Sequence, residues 1–304
     1  MTNIYKKGAL NISFAWLFAI IVGAVVLFLA IYISMKVINT GQMQTDATAS
    51  KEIGNLLNPL ETGIETGKTQ TMTLPAQTRI YNGCNNEGNF GEQGIKVSQL
   101  NFNKWSDTDV NSVFYNKYIF SDSIAEGRKF YLFSMPFDYP FKVSNLIFLT
   151  AKEYCFVDAP SNIKEELPNQ ENLRFENCSA NSIKVCFNKN CEINVNSVQG
   201  YVEKNNTKLY FTGNLMYAAI FSDSEVYNCQ TKRLMQRTEQ LSSLYKDKIS
   251  FLGDKYQCES DLDIKLISLK NSAKSFTKPE DFVLLDSIIN ELKSKNENRG
   301  CMLW

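Results

Sequence analysis

Three textures follow one another along the chain. The run from Gly8 to Met35, GALNISFAWLFAIIVGAVVLFLAIYISM, carries no formal charge. A bilayer core of about 30 Å is crossed by about 20 apolar helical residues. The pattern therefore predicts a basic, cytoplasmic leader at 1–8 and a single transmembrane helix at 9–36. The apolar core of a removable secretory signal is usually only about 7–15 residues, which favours an uncleaved anchor. Ala47-Thr48-Ala49 imitates a signal cleavage triplet but lies too far past the apolar run. Ile53, Leu56, Leu57 and Leu60 fall at helical spacing and predict a stalk over 37–60, which Pro59 ends or kinks. Residues 61–76 are rich in Thr and Gly and read as a linker.

A β-rich exported domain is expected over 61–216. Between Phe114 and Phe156 stand 13 aromatic residues, a class that suits pleated, half-buried surfaces. Their near-alternation favours a core over an exposed stacking platform. Glu126-Gly127, Ala159-Pro160 and Pro168-Asn169 read as turns between strands. Ile183–Val195 reads as a hairpin with Asn188-Lys189-Asn190 at its tip, and Gln199–Thr212 as two short strands about Asn205-Asn206. Sheet-on-sheet, sandwich-like packing is expected.

The last texture, 217–304, is a small helical module. Leu234, Thr238, Leu241, Leu244 and Ile249 form a helical stripe that breaks near Gly253, and a shorter helix is expected over Leu262–Lys274. A third helix has Thr277 as N-cap, Pro279, Glu280 and Asp281 in its first turn, and Phe282, Leu285, Ile288, Ile289 and Leu292 on one face. The predicted fold class is thus α+β: an anchor and stalk, a β-rich sandwich-like domain and a C-terminal helical module.

Composition narrows the chemistry. The 32 basic and 32 acidic residues balance, which argues against nucleic acid as a partner. Histidine is absent, so Ser-His, Cys-His and His-metal sites are excluded within this chain. All eight cysteines, Cys84 to Cys301, follow the apolar run. An even number on the exported side suits disulfides, which persist in oxidising compartments. Lys6 and Lys7 precede the run and only Lys36 follows it closely. Positive flanks stay cytoplasmic, so the chain is read as a single-pass cell-membrane protein with its N-terminus inside and its C-terminal domain outside.

Several constellations carry more than one reading. Ala15, Ala19 and Gly23 share one helix face, either as a helix–helix contact or as a by-product of an Ala-rich span. Cys186 and Cys191 flank the proposed hairpin tip and form the candidate disulfide. The competing reading, a C-x4-C zinc half-site, lacks a second half. Cys229, Cys258 and Cys301 bracket the helices and are candidates to staple them together or onto the sheets. Asn177 and Asn205 head glycosylation sequons. Three Ser-x-x-Lys tetrads, at Ser161, Ser243 and Ser275, match the number expected by chance. The stretch from Asp107 lacks the Gly and Glu of a calcium loop. No catalytic, cofactor-binding or metal-binding residues are assigned.

Lys6-Lys7-Gly8-Ala9-Leu10-Asn11-Ile12-Ser13, followed directly by the apolar helix, resembles an archaeal type IV prepilin N-terminus. That resemblance implies cleavage between Gly8 and Ala9, with the apolar helix kept as anchor or filament core. Where the family often has Gln, Ser and Glu at the first, third and fifth mature positions, this chain has Ala9, Asn11 and Ser13. The run also resembles the N-termini of uncharacterised archaeal single-pass membrane proteins with Cys-containing exported domains. The expectation is a membrane-anchored cell-surface structural or interaction protein, pilin-like or pilus-associated, and not an enzyme. Its expected partners are the lipid bilayer and other membrane or surface proteins, with self-association through the anchor helix; no cofactor is expected. The alternatives are an extracellular glycan-binding module resting on the aromatic belt, and a carboxylate-dependent hydrolase.

Overall fold

The computed structural model describes residues 14–37, 69–101, 103–106, 111–167, 169–187, 189–256, 261–297 and 302–304. The expected leader (Lys6, Lys7, Gly8, Ala9), the stalk beyond Val37, Cys258 and Cys301 lie outside them. The chain forms two compact units, Met1–Thr45 and Asp46–Trp304.

In the first unit, Phe14–Val37 is one helix (α1) of 24 residues with a mean hydropathy of 2.9. At ~1.5 Å per residue it is about 36 Å long, enough to cross a bilayer core by length and composition. All of its residues are exposed, Ala15, Ala19 and Gly23 among them.

The second unit holds two sheets. The first contains β1 (Thr69–Asn85), β2 (Glu92–Asn101), β3 (Lys104–Trp105), β4 (Ser112–Phe114), β5 (Tyr118–Phe120), β6 (Ile124–Asp138) and β7 (Lys142–Thr150). Its order is β3-β2-β1-β6-β7-β5, with β4 also on β2. Only β5 and β7 run parallel. The β1–β6 register shifts between Thr73 and Thr78, where Pro75 lacks the N–H that a ladder needs. Glu126-Gly127, expected as a turn, lies inside β6, with Gly127 opposite Thr78. The glycine is there for space: a Cβ on Gly127 would stand 2.8 Å from the Ala151 Cβ.

The second sheet follows in sequence: β8 (Tyr154–Val157), a short helix α2 (Ser161–Glu166), β9 (Leu173–Arg174), β10 (Ile183–Cys186), β11 (Ile193–Asn196), β12 (Tyr201–Lys204) and β13 (Thr207–Tyr210). Ile183–Val195 is not a hairpin, because β10 and β11 pair in parallel, Val185 against Ile193. Between them the chain turns through a full loop rather than a single reversal. The Cys186–Cys191 bridge closes that loop, and the Asn194 side chain accepts a hydrogen bond from the Cys191 N–H. β12 and β13 do form a hairpin, with Asn205 and Asn206 at φ 49° and 59°. Two successive left-handed residues make the turn whose twist matches its strands.

The helices are α3 (Leu215–Phe221), α4 (Ser224–Tyr256), α5 (Asp263–Lys274) and, after a 3-10 turn at Pro279–Asp281, α6 (Phe282–Glu297). Every residue of α3 is buried. Its Phe221 ring meets Phe133 of the first sheet at 5.4 Å and Tyr154 of the second at 4.8 Å, both edge-on. α3 thus packs against both sheets, a helix that the sandwich-like expectation did not include. The β region and the helices share one hydrophobic core, which runs from Tyr118 to Leu303. α4 continues through Gly253 to Tyr256, past the expected break. Leu244, assigned to its apolar stripe, is exposed. At α6, Thr277 is not the acceptor expected of an N-cap. Its N–H and hydroxyl both donate to the Asp281 carboxylate.

The aromatic belt is core, as its near-alternation implied. Phe120, Phe130, Phe133, Phe137, Phe141, Phe148 and Phe156 are buried, and Tyr115 is the exposed exception. A second apolar cluster, with Ile80, Ile95, Val97, Ile119 and Ile147, is drawn from the first sheet and the residue that follows it. Its buried members come from β1, β2, β5, β6 and β7.

Candidate functional site

The foot of α4 is fastened to the first sheet by a disulfide and a line of buried polar groups. Cys84 of β1 bonds Cys229 of α4, with Cα atoms 6.1 Å apart. Next to it, Arg233 Nη1 donates to Gln230 Oε1 at 2.8 Å, and the Gln230 amide donates to Gln93 Oε1. Gln93 Nε2 donates to Asn82 Oδ1 at 2.5 Å, and Asn82 Nδ2 to the Ile119 carbonyl at 3.1 Å. Each amide donates forward and accepts from behind, so the chain of bonds has one direction and joins β1, β2 and β5 through side chains.

Arg233 is fully buried and pairs with no carboxylate among the described residues. Its remaining N–H groups donate to the carbonyls of Phe90, Tyr115 and Lys117, and its guanidinium lies 4.9 Å from the Tyr118 ring centre. Burial lowers its pKa, against the raising influence of Tyr118 and Glu92; a guanidinium stays charged even so. Backbone dipoles and a π face thus stand in for a counter-ion.

One turn further along α4, the β1–β2 loop is clamped. Gln236 Nε2 donates to the Asn86 carbonyl at 2.8 Å and Gln240 Nε2 to that of Asn89 at 2.8 Å. Gly91, at φ +57°, admits no side chain, because a Cβ would lie 2.4 Å from the Asn85 oxygen and 2.9 Å from Arg233 Cγ. The clamped loop forms one wall of an open groove of about 560 Å³, whose other walls are α4 and the end of α5. α4 contributes Lys232, Gln236, Glu239, Gln240 and Ser243, α5 contributes Lys270 and Lys274, and Phe90 and Phe276 supply apolar surface. Phe90 is 44% exposed and Phe276 buried. Gln236 Oε1 is buried without a hydrogen-bond partner.

A second polar cluster lies where α3 passes into α4. The Ser123 N–H donates to Asp223 Oδ2 at 2.6 Å, and Lys152 pairs with Asp122 at 2.5 Å. Lys204 donates to the Ile220 and Ser222 carbonyls at the end of α3. Burial pulls the Lys204 pKa down to about 8, against the raising influence of Asp122 and Asp223. A lysine with this job ties off a helix end. Tyr139 donates to Asp286 at 2.9 Å, and burial, with that carboxylate, pushes its phenol well above the ordinary range.

The residues singled out from sequence fall as follows. Cys186 and Cys191 are bonded to each other, and Cys155 is bonded to Cys178. Cys229 staples a helix to a sheet rather than to another helix. Asn177 and Asn205 are exposed, both in left-handed backbone. The groove was missed, since it draws on three distant segments and carries no local motif. Among the described residues no group of three or more Cys, Asp or Glu side chains gathers to hold a metal. No protein-family model, curated protein or solved structure matches this chain.

Proposed function

We propose that this chain is a membrane-anchored, single-pass cell-surface interaction protein, with α1 in lipid and the disulfide-bonded unit outside the cell. The observation that carries the reading is one apolar 24-residue helix followed by a body whose described residues include three disulfides. Lipid accommodates a helix that is apolar over nearly all of its length, and an oxidising exterior keeps such bridges closed. The positive flank at Lys6 and Lys7 supports a cytoplasmic N-terminus. The prepilin-like leader supports a pilin-like or pilus-associated role. Ala15, Ala19 and Gly23 would let a neighbouring helix approach closely.

Three measurements test this. Carbonate washing of membranes from expressing cells leaves the protein in the pellet; release into the wash overturns the anchor. Membrane-impermeant maleimide applied to intact cells labels the cysteines only after an external reductant. Labelling without reductant, or none with it, overturns the topology. Mass spectrometry of the mature N-terminus finds Ala9 first if the leader is processed, and a start at Met1 or Thr2 removes the prepilin element alone.

A further inference from the structure

The groove between the β1–β2 loop and helices α4 and α5 is built to receive something anionic. Lys232, Lys270 and Lys274 line it against a single carboxylate, Glu239. None of the three ammonium groups is in an ion pair among the described residues, whereas Lys129, Lys152, Lys189, Lys265 and Lys295 elsewhere are. Lys270 and Lys274 are one helical turn apart and so share a face of α5; Lys232 stands across from them on α4. Three unpaired cations converging on one concavity repel each other, and an anion between them relieves that repulsion.

The remaining lining narrows the ligand. The side chains of Gln236, Gln240 and Ser243 give one wall a polar lining. A ligand that brings hydroxyl groups as well as negative charge matches both the lysines and this polar lining. Phe90 presents an exposed ring at the rim, a flat apolar surface of the kind that the C–H face of a sugar covers. The wall that carries Phe90 is already fixed by Gln236, Gln240 and Arg233, so little ordering is left for binding to do. The volume of about 560 Å³ falls within the range of small-molecule pockets and suits a few sugar units rather than a folded partner.

We propose that this groove binds an acidic saccharide, one bearing carboxylate or sulfate groups, with the three lysines holding the charges and Phe90 stacking on a ring face. The proposal is independent of the membrane reading, since the groove belongs to the second compact unit alone.

The test uses the full chain in detergent micelles, titrated calorimetrically with four probes: a galacturonate tetramer, a heparin-derived tetrasaccharide, a neutral maltotetraose and a tetraglutamate peptide. At least one acidic saccharide binds, more tightly than maltotetraose or tetraglutamate, and binding weakens with added salt as charge contacts are screened. Replacing Lys232, Lys270 and Lys274 together by Gln weakens that binding by about tenfold or more, as loss of three charge-assisted contacts requires. The control triple Lys96→Gln, Lys142→Gln, Lys164→Gln, on exposed residues outside the groove, leaves it unchanged. Phe90→Ala weakens saccharide binding without altering its salt dependence. Failure of both acidic saccharides to bind overturns the proposal. So does an equal loss in the control triple, which would mark diffuse surface charge, or tetraglutamate binding as tightly, which would mark an acidic-peptide site. Circular dichroism of each variant confirms that it is folded.

Discussion

The three bridges among the described residues close loops of very different length, and that difference ranks their contributions to stability. Cys84–Cys229 spans 145 residues, Cys155–Cys178 spans 23 and Cys186–Cys191 spans 5. A cross-link stabilises chiefly by removing loop-closure entropy from the unfolded chain, which gives about 5, 3.5 and 2 kcal/mol for the three at 25 °C. Packing modifies the order only slightly. Cys155 and Cys186 are buried, so replacing them by Ala adds at most about 1 kcal/mol for lost contacts. The experiment compares three double variants: Cys84→Ala with Cys229→Ala, Cys155→Ala with Cys178→Ala, and Cys186→Ala with Cys191→Ala. Each full chain is unfolded by urea in the same micelles. Tryptophan fluorescence is the signal, because Trp304 packs on Phe141 at 5.6 Å and on Tyr245 at 5.4 Å inside the shared core. The long-loop variant loses most, and the Cys186/Cys191 variant keeps a midpoint nearest to the parent. Equal losses, or the five-residue bridge proving the most important, would refute the loop-length reasoning.

Three other substitutions probe particular contacts. Burial lowers the Lys204 pKa from 10.5 to about 8, so between those values the unfolded chain binds more protons than the folded one and stability rises with pH. Lys204→Met abolishes that rise, which amounts to about 3 kcal/mol in full; urea midpoints measured from pH 7.5 to 10 check it, and a constant difference between the two proteins would contradict it. Gly127→Ala drives a methyl against Ala151 and costs about 1–3 kcal/mol. Adding Ala151→Gly restores most of the loss, unless the contact is not what limits the site. Arg233→Met strands four acceptors that now receive its protons and lowers stability by about 4 kcal/mol. Thermal melts of this variant read the loss, and a change below about 1 kcal/mol would show the buried guanidinium to be dispensable.

What was legible in the sequence was local. The apolar run of α1 reports its own length. The Asn205-Asn206 turn was visible because asparagine tolerates left-handed backbone. The neighbourhood of α6 was visible because Pro279 and two acids mark its start, although the capping runs from Asp281 back to Thr277. Strand direction was not legible: Ile183–Val195 has the alternation of a hairpin, and alternation is the same for parallel and antiparallel neighbours. α3 was missed as a helix for a related reason, since a seven-residue apolar run is shared by buried strands and buried helices. The fit of Gly127 against Ala151, the relay from Arg233 to Asn82 and the groove itself all join segments far apart in sequence. Nothing in the local pattern of Lys232, Lys270 or Lys274 separates them from ordinary solvated lysines.

The bridge between β1 and α4 also orders events during biosynthesis. In the proposed topology the residues after α1 are exported in the order of synthesis, so Cys84 reaches the oxidising side before Cys155, Cys178, Cys186 and Cys191, and Cys229 follows them all. The other two bridges join successive cysteines and can close as they appear, whereas Cys84 must pass over four competing thiols to find its mate. Correct assembly therefore depends on delayed oxidation or on thiol–disulfide exchange that undoes early mispairings. A cell lacking an exchange catalyst on that side would accumulate chains cross-linked in the order of synthesis rather than in the order of the fold.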